Sequence, residues 1–137
     1  MTKGINQDFG KLLIRISVGG LMIFHGIYKL IHGHDFIKIM LEKKGLPSIL
    51  WLGVPIGEII APIFIILGIF TRISSLLVAF TMFMTIYLVH EMNIFNISEN
   101  GGLAGELNIF YLLASLSIFF LGSGKYSLYK GNKVILM

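Results

Sequence analysis

Four long apolar stretches, at about residues 12–31, 49–70, 73–89 and 106–121, alternate with short polar segments along this chain. A helix needs roughly 20 apolar residues to cross the hydrocarbon of a bilayer, and each stretch approaches that length. The pattern predicts an all-α integral membrane four-helix bundle that uses residues 1–137 as a single domain. In the first stretch Arg15, Gly19, Met22, Gly26 and Lys29 recur at helical spacing. Two glycines thus share one stripe, where a second helix can approach closely. Between the first two stretches, Asp35 to Lys44 sets Phe36, Ile37, Met40 and Leu41 against Lys38, Glu42 and Lys43. It is too short and too charged to cross, and predicts an amphipathic helix in the interface, capped by Asp35 and ended by Gly45 and Pro47.

The second stretch begins near Trp51, a residue type favoured at headgroup level, and contains Pro55 and Pro62. Proline has no N–H for the carbonyl four residues earlier, which for Pro62 is that of Glu58. One turn therefore holds a carboxyl group and a freed carbonyl, both needing partners in lipid. Thr71 and Arg72 are expected to form the tight connection to the third stretch. His90 to Gly105 is expected to be the longest irregular loop.

Composition agrees with a membrane protein: only 13% of residues are charged, against about a quarter in soluble domains. The net charge of +4 is spread along the chain without an aromatic-laced basic patch, which argues against nucleic acid and for charges flanking membrane spans. With no cysteine there is no disulfide, thiolate nucleophile or cysteine-ligated metal, so any thiol chemistry must belong to a partner. The first stretch carries Arg15, His25 and Lys29 without a small-residue cleavage site, and is read as a retained span instead of a removable signal peptide.

The chemistry must lie with the ionisable residues inside or at the ends of the apolar stretches. A charge at mid-bilayer costs roughly 3 kcal/mol on insertion scales, so it persists where it faces protein or water and has a partner. By helical rise, His25 lies ~9 Å and Glu58 ~13 Å below one membrane boundary. Lys29 stands one turn above His25, and His90 and Glu106 lie at the mouths of the third and fourth stretches. These five are the candidates for a ligand-binding or proton-handling pocket in one half of the bundle. Arg15 and Arg72 form a separate, structural end. Each also has a plainer reading: Lys29 snorkelling to headgroups, Glu106 favoured by a helix dipole, His90 as an interfacial residue, His25 as a satisfied core histidine. Glu58 is hardest to dismiss, since any role requires a donor from another helix, Lys29 or His25 among them. His25, Glu58, His90 and Glu106 show no recognised metal-ligand spacing, so no metal is expected.

The basic residues also orient the chain. Lys3, Lys11, Arg15, Arg72, Lys125, Lys130 and Lys133 fall on one side, against Lys29, Lys38, Lys43 and Lys44 on the other. Seven against four predicts both termini in the cytoplasm and the Glu58 half toward the outside.

The residues LLIRISVGGLMIFHGIYKLIHG at 12–33, with an arginine, a glycine pair and His-Gly-x-x-Lys, resemble the opening signature of DoxX family membrane proteins. GEIIAPIFIILGIFTRISSLLVA at 57–79 resembles the family's second signature, and GELNIFYLLASLSIFFLGSGKYSLY at 105–129 its third. By position, Arg15, His25, Lys29, Glu58, Arg72 and Glu106 match the family's recurring polar residues. Tyr129 stands where the family pattern usually has Asp after Ser-Leu. The resemblance implies a four-span bacterial inner-membrane protein linked to oxidoreductase work, since a relative is a subunit of a thiosulfate:quinone oxidoreductase and others associate with soluble redox enzymes.

The leading expectation is therefore a quinone-linked or redox-complex subunit, with quinone as the candidate cofactor and the bilayer, a redox enzyme or further copies of the chain as partners. One alternative is a non-enzymatic assembly or anchoring protein whose polar residues lock helices together. A third is a small-solute or proton pathway, which is disfavoured because after Glu58 the second stretch offers only apolar residues and Gly68.

Overall fold

The computed structural model describes residues 6–129; Lys3, Lys130 and Lys133, used above for orientation, lie outside them. Five helical elements follow one another: α1 (Gln7–His32), α2 (Asp35–Lys43), α3 (Ser48–Leu67), α4 (Thr71–His90) and α5 (Glu106–Leu121). The protein is an all-α membrane helical bundle; among the described residues the only β pairing is the isolated bridge Ile97–Leu103. Helices α1, α3 and α4 are long and apolar enough to cross a bilayer. At 16 residues α5 is shorter, about 24 Å by helical rise, and packs along α4. Large apolar side chains such as Phe24, Ile31 and Phe120 are left exposed, as a lipid-facing surface requires.

Helix α1 starts at Gln7, earlier than the apolar run suggests, because Asn6 caps it by accepting the Phe9 N–H at 3.1 Å. Its buried face is Arg15, Val18, Gly19, Met22 and Gly26, the stripe expected from spacing. Glycine is needed there because the backbones nearly touch: a Cβ on Gly19 would lie 2.8 Å from the Pro62 carbonyl oxygen, and one on Gly26 2.7 Å from that of Glu58. Val18 and Met22 meet Ala61, Ile65, Val78, Met82, Tyr111, Ala114 and Ile118 in the core.

Helix α3 is not uniform. Ser48–Leu52 is a tight 3₁₀ turn, and Ile56–Ile60 is a π turn in which the Ala61 N–H reaches back to the Ile56 carbonyl. A second π turn, Ile86–His90, ends α4. Two expectations need correction. Asp35 does not cap α2; His34 holds that position and Asp35 lies in the first turn. Thr71 and Arg72 do not make the connection after α3 either. The chain turns at Gly68 (φ 72°) and Phe70 (φ 48°), and Thr71 and Arg72 already belong to α4. Gly68 is required on two counts, a left-handed backbone and no room for a Cβ against Arg15 and Ser127. The 90–105 segment is partly ordered by a 3₁₀ turn, Glu91–Phe95, and by the Ile97–Leu103 bridge.

Candidate functional site

The polar side chains gather at two ends of the bundle. At one end, Glu58 projects from the π turn of α3 and is only 1% exposed. Its Oε1 accepts from Lys29 Nζ of α1 at 2.6 Å, while Oε2 is buried and has no hydrogen-bond partner among the described residues. The lysine side chain is 28% exposed, so the pair joins a buried carboxylate to a cation at the edge of the bundle. Local sequence explains the geometry. Pro62 weakens the helical ladder around Glu58, the π turn rotates it inward, and Gly57 lets α3 close onto Thr81 of α4.

Beside Glu58 lies a cavity of about 50 Å³, bordered also by His25, Lys29, Met82, Thr85, Asn108 and Tyr111. One water needs on the order of 10–15 Å³ of such space, so the cavity has room for a few waters. His25 is exposed at its rim, with its ring edge-on to Tyr111 at 6.1 Å. His90 does not border the cavity but reaches it through one residue: its Nε2 lies 3.1 Å from Asn108 Oδ1, and Asn108 Nδ2 donates to Met82 Sδ at 3.7 Å. With the proton on Nε2, His90 is the donor to Asn108. Glu106 is not brought to this cavity. Its carboxylate packs over Gly102 in an exposed position in the first turn of α5, where the helix dipole favours it.

Asn108, Tyr111 and Thr85 were not singled out from sequence. Asn108 and Tyr111 are three apart on α5, so they share the face that Glu106, one residue before Leu107, does not. A polar pair at that spacing inside an apolar run was the available signal.

At the other end, Arg15 is 1% exposed and binds only backbone carbonyls: Nε donates to Ile65 at 2.8 Å, Nη2 to Ile66 at 2.7 Å, and Nη1 to Ser123 and Tyr126 at 2.6 Å each. Ile65 and Ile66 lie among the last four carbonyls of α3, which lack the usual donor four residues on; Ile65 also accepts from the Gly68 N–H at 3.2 Å, and a cation there meets the negative end of the helix dipole. The segment after α5 is thereby folded back on α3, helped by the Leu128 N–H donating to the Leu67 carbonyl at 3.0 Å. Tyr129, at the position of the family's usual Asp, stacks on Phe70 at 5.9 Å. Arg72 is half-buried against Gly122, and its Nε has no partner among the described residues, so carbonyl capping at this end belongs to Arg15. Among the described residues no three His, Asp or Glu side chains come close enough together to hold a metal ion.

A membrane helical bundle with an inward glutamate held by a lysine of the first helix, and an arginine gripping the opposite end, defines the class of this protein. The chain belongs to the DoxX family, whose model matches residues 10–91, more than half of its length. That match runs from α1 to the end of α4; α5 and the segment after it fall outside. No curated protein and no solved structure matches the chain.

Proposed function

We propose that this DoxX protein is a membrane subunit of a redox complex, in which Glu58 takes up and releases a proton at the Lys29 end of the bundle. The observation that carries this reading is the Glu58 carboxyl itself: one oxygen bound to Lys29, the other buried, without a partner, on a water-sized cavity. A buried carboxylate oxygen without a protein partner is costly to leave bare, and a proton or a water in the cavity relieves that cost. Two polar routes lead from the cavity to the surface, one by Lys29 and the exposed His25, the other by Asn108 and His90. Asn108 orients and His90 exchanges the proton.

The cavity has room for a few waters and not for an aromatic ring, so a quinone linked to this subunit would stand at the His25 rim, outside the Glu58 cavity. The proposed setting is the bacterial inner membrane, with the Arg15 end and both termini in the cytoplasm, supported by the seven-to-four distribution of basic residues. The proposed partner is a redox enzyme that docks on this subunit.

Infrared difference spectroscopy of the purified protein, with and without a soluble quinone analogue, tests the reading. A carboxyl band that shifts on addition of the analogue and vanishes in Glu58→Gln is expected. Equal analogue binding by wild type and Glu58→Gln, with no carboxyl signal in either, would overturn it.

A second reading has its own support. The Lys29–Glu58 bond and the Gly19 and Gly26 approaches all tie α1 to α3, as an assembly protein would need. It predicts that Glu58→Gln lowers abundance while a partner's activity per molecule stays unchanged.

A further inference from the structure

Glu58 Oε2 needs a donor, and the groups around its cavity differ in what they have left to give. Lys29 bonds to Oε1 and not to Oε2. Thr85 spends its hydroxyl proton on the Thr81 carbonyl at 2.9 Å. Asn108 gives an N–H to Met82 Sδ and engages His90 through Oδ1. His25 is exposed at the rim, where solvent serves its ring. Tyr111 remains. It is 4% exposed and borders the cavity, and no described residue accepts from its hydroxyl. A buried tyrosine hydroxyl ordinarily has a partner, and a phenylalanine would fill the same core without needing one. An unsatisfied acceptor and an unsatisfied donor thus border one small space.

The two are held in place independently. Glu58 is fixed by the π turn of α3 and by Lys29. Tyr111 is fixed on α5, its ring edge-on to His25 at 6.1 Å and to Phe110 at 6.3 Å, among the core residues Met22 and Met82. They do not bond directly, and the cavity they share is where a bridge can stand. Its volume of about 50 Å³ exceeds the 10–15 Å³ or so that one water needs. Buried waters typically make about three hydrogen bonds, to polar groups that the protein leaves unsatisfied.

We infer that one water in this cavity joins Tyr111 to Glu58. It accepts from the Tyr111 hydroxyl, donates one proton to Glu58 Oε2 and donates the other to the Thr85 oxygen, which keeps a lone pair. Tyr111 is thereby a positioning residue that acts on Glu58 through the water. The inference deepens the proton-handling reading and rests on it for its consequence: the water that Tyr111 fixes is the group with which Glu58 exchanges its proton. Tyr111 lies three residues from Asn108, so one face of α5 carries both the donor to the water and the link to His90.

A crystal structure of the wild-type protein is expected to show one water within about 3.2 Å of both the Tyr111 hydroxyl and Glu58 Oε2. Tyr111→Phe should lose that water and keep the Lys29–Glu58 bond. Asn108→Leu, which removes the other donor on that face of α5, should keep the water. In solution, infrared absorption is recorded for protein carrying carbon-13 at its glutamate carboxyls, and the difference between wild type and Glu58→Gln isolates the Glu58 band. That band should shift in Tyr111→Phe and stay in place in Asn108→Leu. A cavity without water, a water bonded to Asn108 and not to Tyr111, or a Glu58 band unmoved by Tyr111→Phe would overturn the inference. Should that variant fold poorly, the wild-type structure decides alone. A Glu58 band that answers a quinone analogue but not Tyr111→Phe defeats this inference and leaves the redox reading standing; the reverse defeats the redox reading and leaves the water.

Discussion

The α-carbon of Gly26 in α1 lies against the backbone carbonyl of Glu58 in α3, the carbonyl that Pro62 deprives of its helical donor. A side chain on Gly26 would strike both that oxygen and Ile59. Gly26→Leu therefore forces α1 away from α3 and stretches the Lys29–Glu58 bond. Overpacking of this kind costs about 2 kcal/mol or more. Gly20, one residue from the Gly19 contact, faces open space and supplies the control. Melting in detergent should fall sharply for Gly26→Leu and stay near wild type for Gly20→Leu; similar melting of the two would refute the close approach.

Arg15 makes a separate prediction, because its four acceptors are all main-chain carbonyls. Arg15→Met leaves Ile65, Ile66, Ser123 and Tyr126 without that donor, and hydrogen bonds to charged groups contribute about 1.5–3 kcal/mol each. Lysine cannot replace it, since an ammonium lacks the planar fork that reaches α3 and the following segment together. Both Arg15→Met and Arg15→Lys should release the segment after α5. Trypsin cleavage at exposed Lys125 is the readout, expected to quicken at least tenfold in each, and unchanged cleavage in Arg15→Lys would show that charge alone suffices.

Much of this arrangement could be read from the chain because it depends on period and on the cost of charge in lipid. The stripe of Arg15, Gly19, Met22, Gly26 and Lys29 is a helical spacing, and its burial follows. Glu58 announced its need for a donor, and Lys29 and His25 were the donors within reach. The remainder had no such signal. Asn108, Tyr111 and Thr85 are uncharged members of apolar runs, and only the packing of α5 and α4 around Glu58 turns them toward one cavity. The partners of Arg15 are carbonyls, which every residue possesses, so sequence could not single out Ile65 or Ser123. The turn after α3 was misplaced for a related reason. Gly68 supplies a left-handed residue, but Phe70 is also left-handed, against its own preference, and nothing local foretells that.

The Lys29–Glu58 pair should behave as a buried charge held by a partly exposed one. Lys29→Met strands the carboxylate, and removing one member of a buried pair costs about 3 kcal/mol, the low end of the usual range because Lys29 keeps some solvent. Glu58→Gln alone removes the charge while keeping a polar group for Lys29, and should cost less. Combining the two, Lys29→Met with Glu58→Gln, should recover much of the loss, since no charge is then buried. A double-mutant cycle by thermal denaturation measures this coupling, and strict additivity would mean that the pair does not interact.

The Lys44–Glu91 pair that fastens α2 sets a pH window. The hydrogen bond from Lys44, with its charge second, holds the Glu91 carboxyl below its ordinary value of 4.5. The hydrogen bond to Glu91 in turn raises the Lys44 ammonium above 10.5. For a depressed carboxyl, the stabilisation is complete above the unfolded value and is lost as pH falls through the lower folded value. For a raised ammonium, it is complete below the unfolded value and is lost as pH climbs through the higher folded one. Docking of α2 should thus be constant between those limits, loosen under acid below 4.5 and loosen again above 10.5. The chain has no cysteine, so Ile39→Cys places a single nitroxide on the exposed face of α2. Its spectral mobility should stay flat across neutral pH and rise at both extremes. In Glu91→Gln the acid limb should vanish and mobility at neutral pH should already be raised; an acid transition that persists in Glu91→Gln would assign the docking of α2 to other groups.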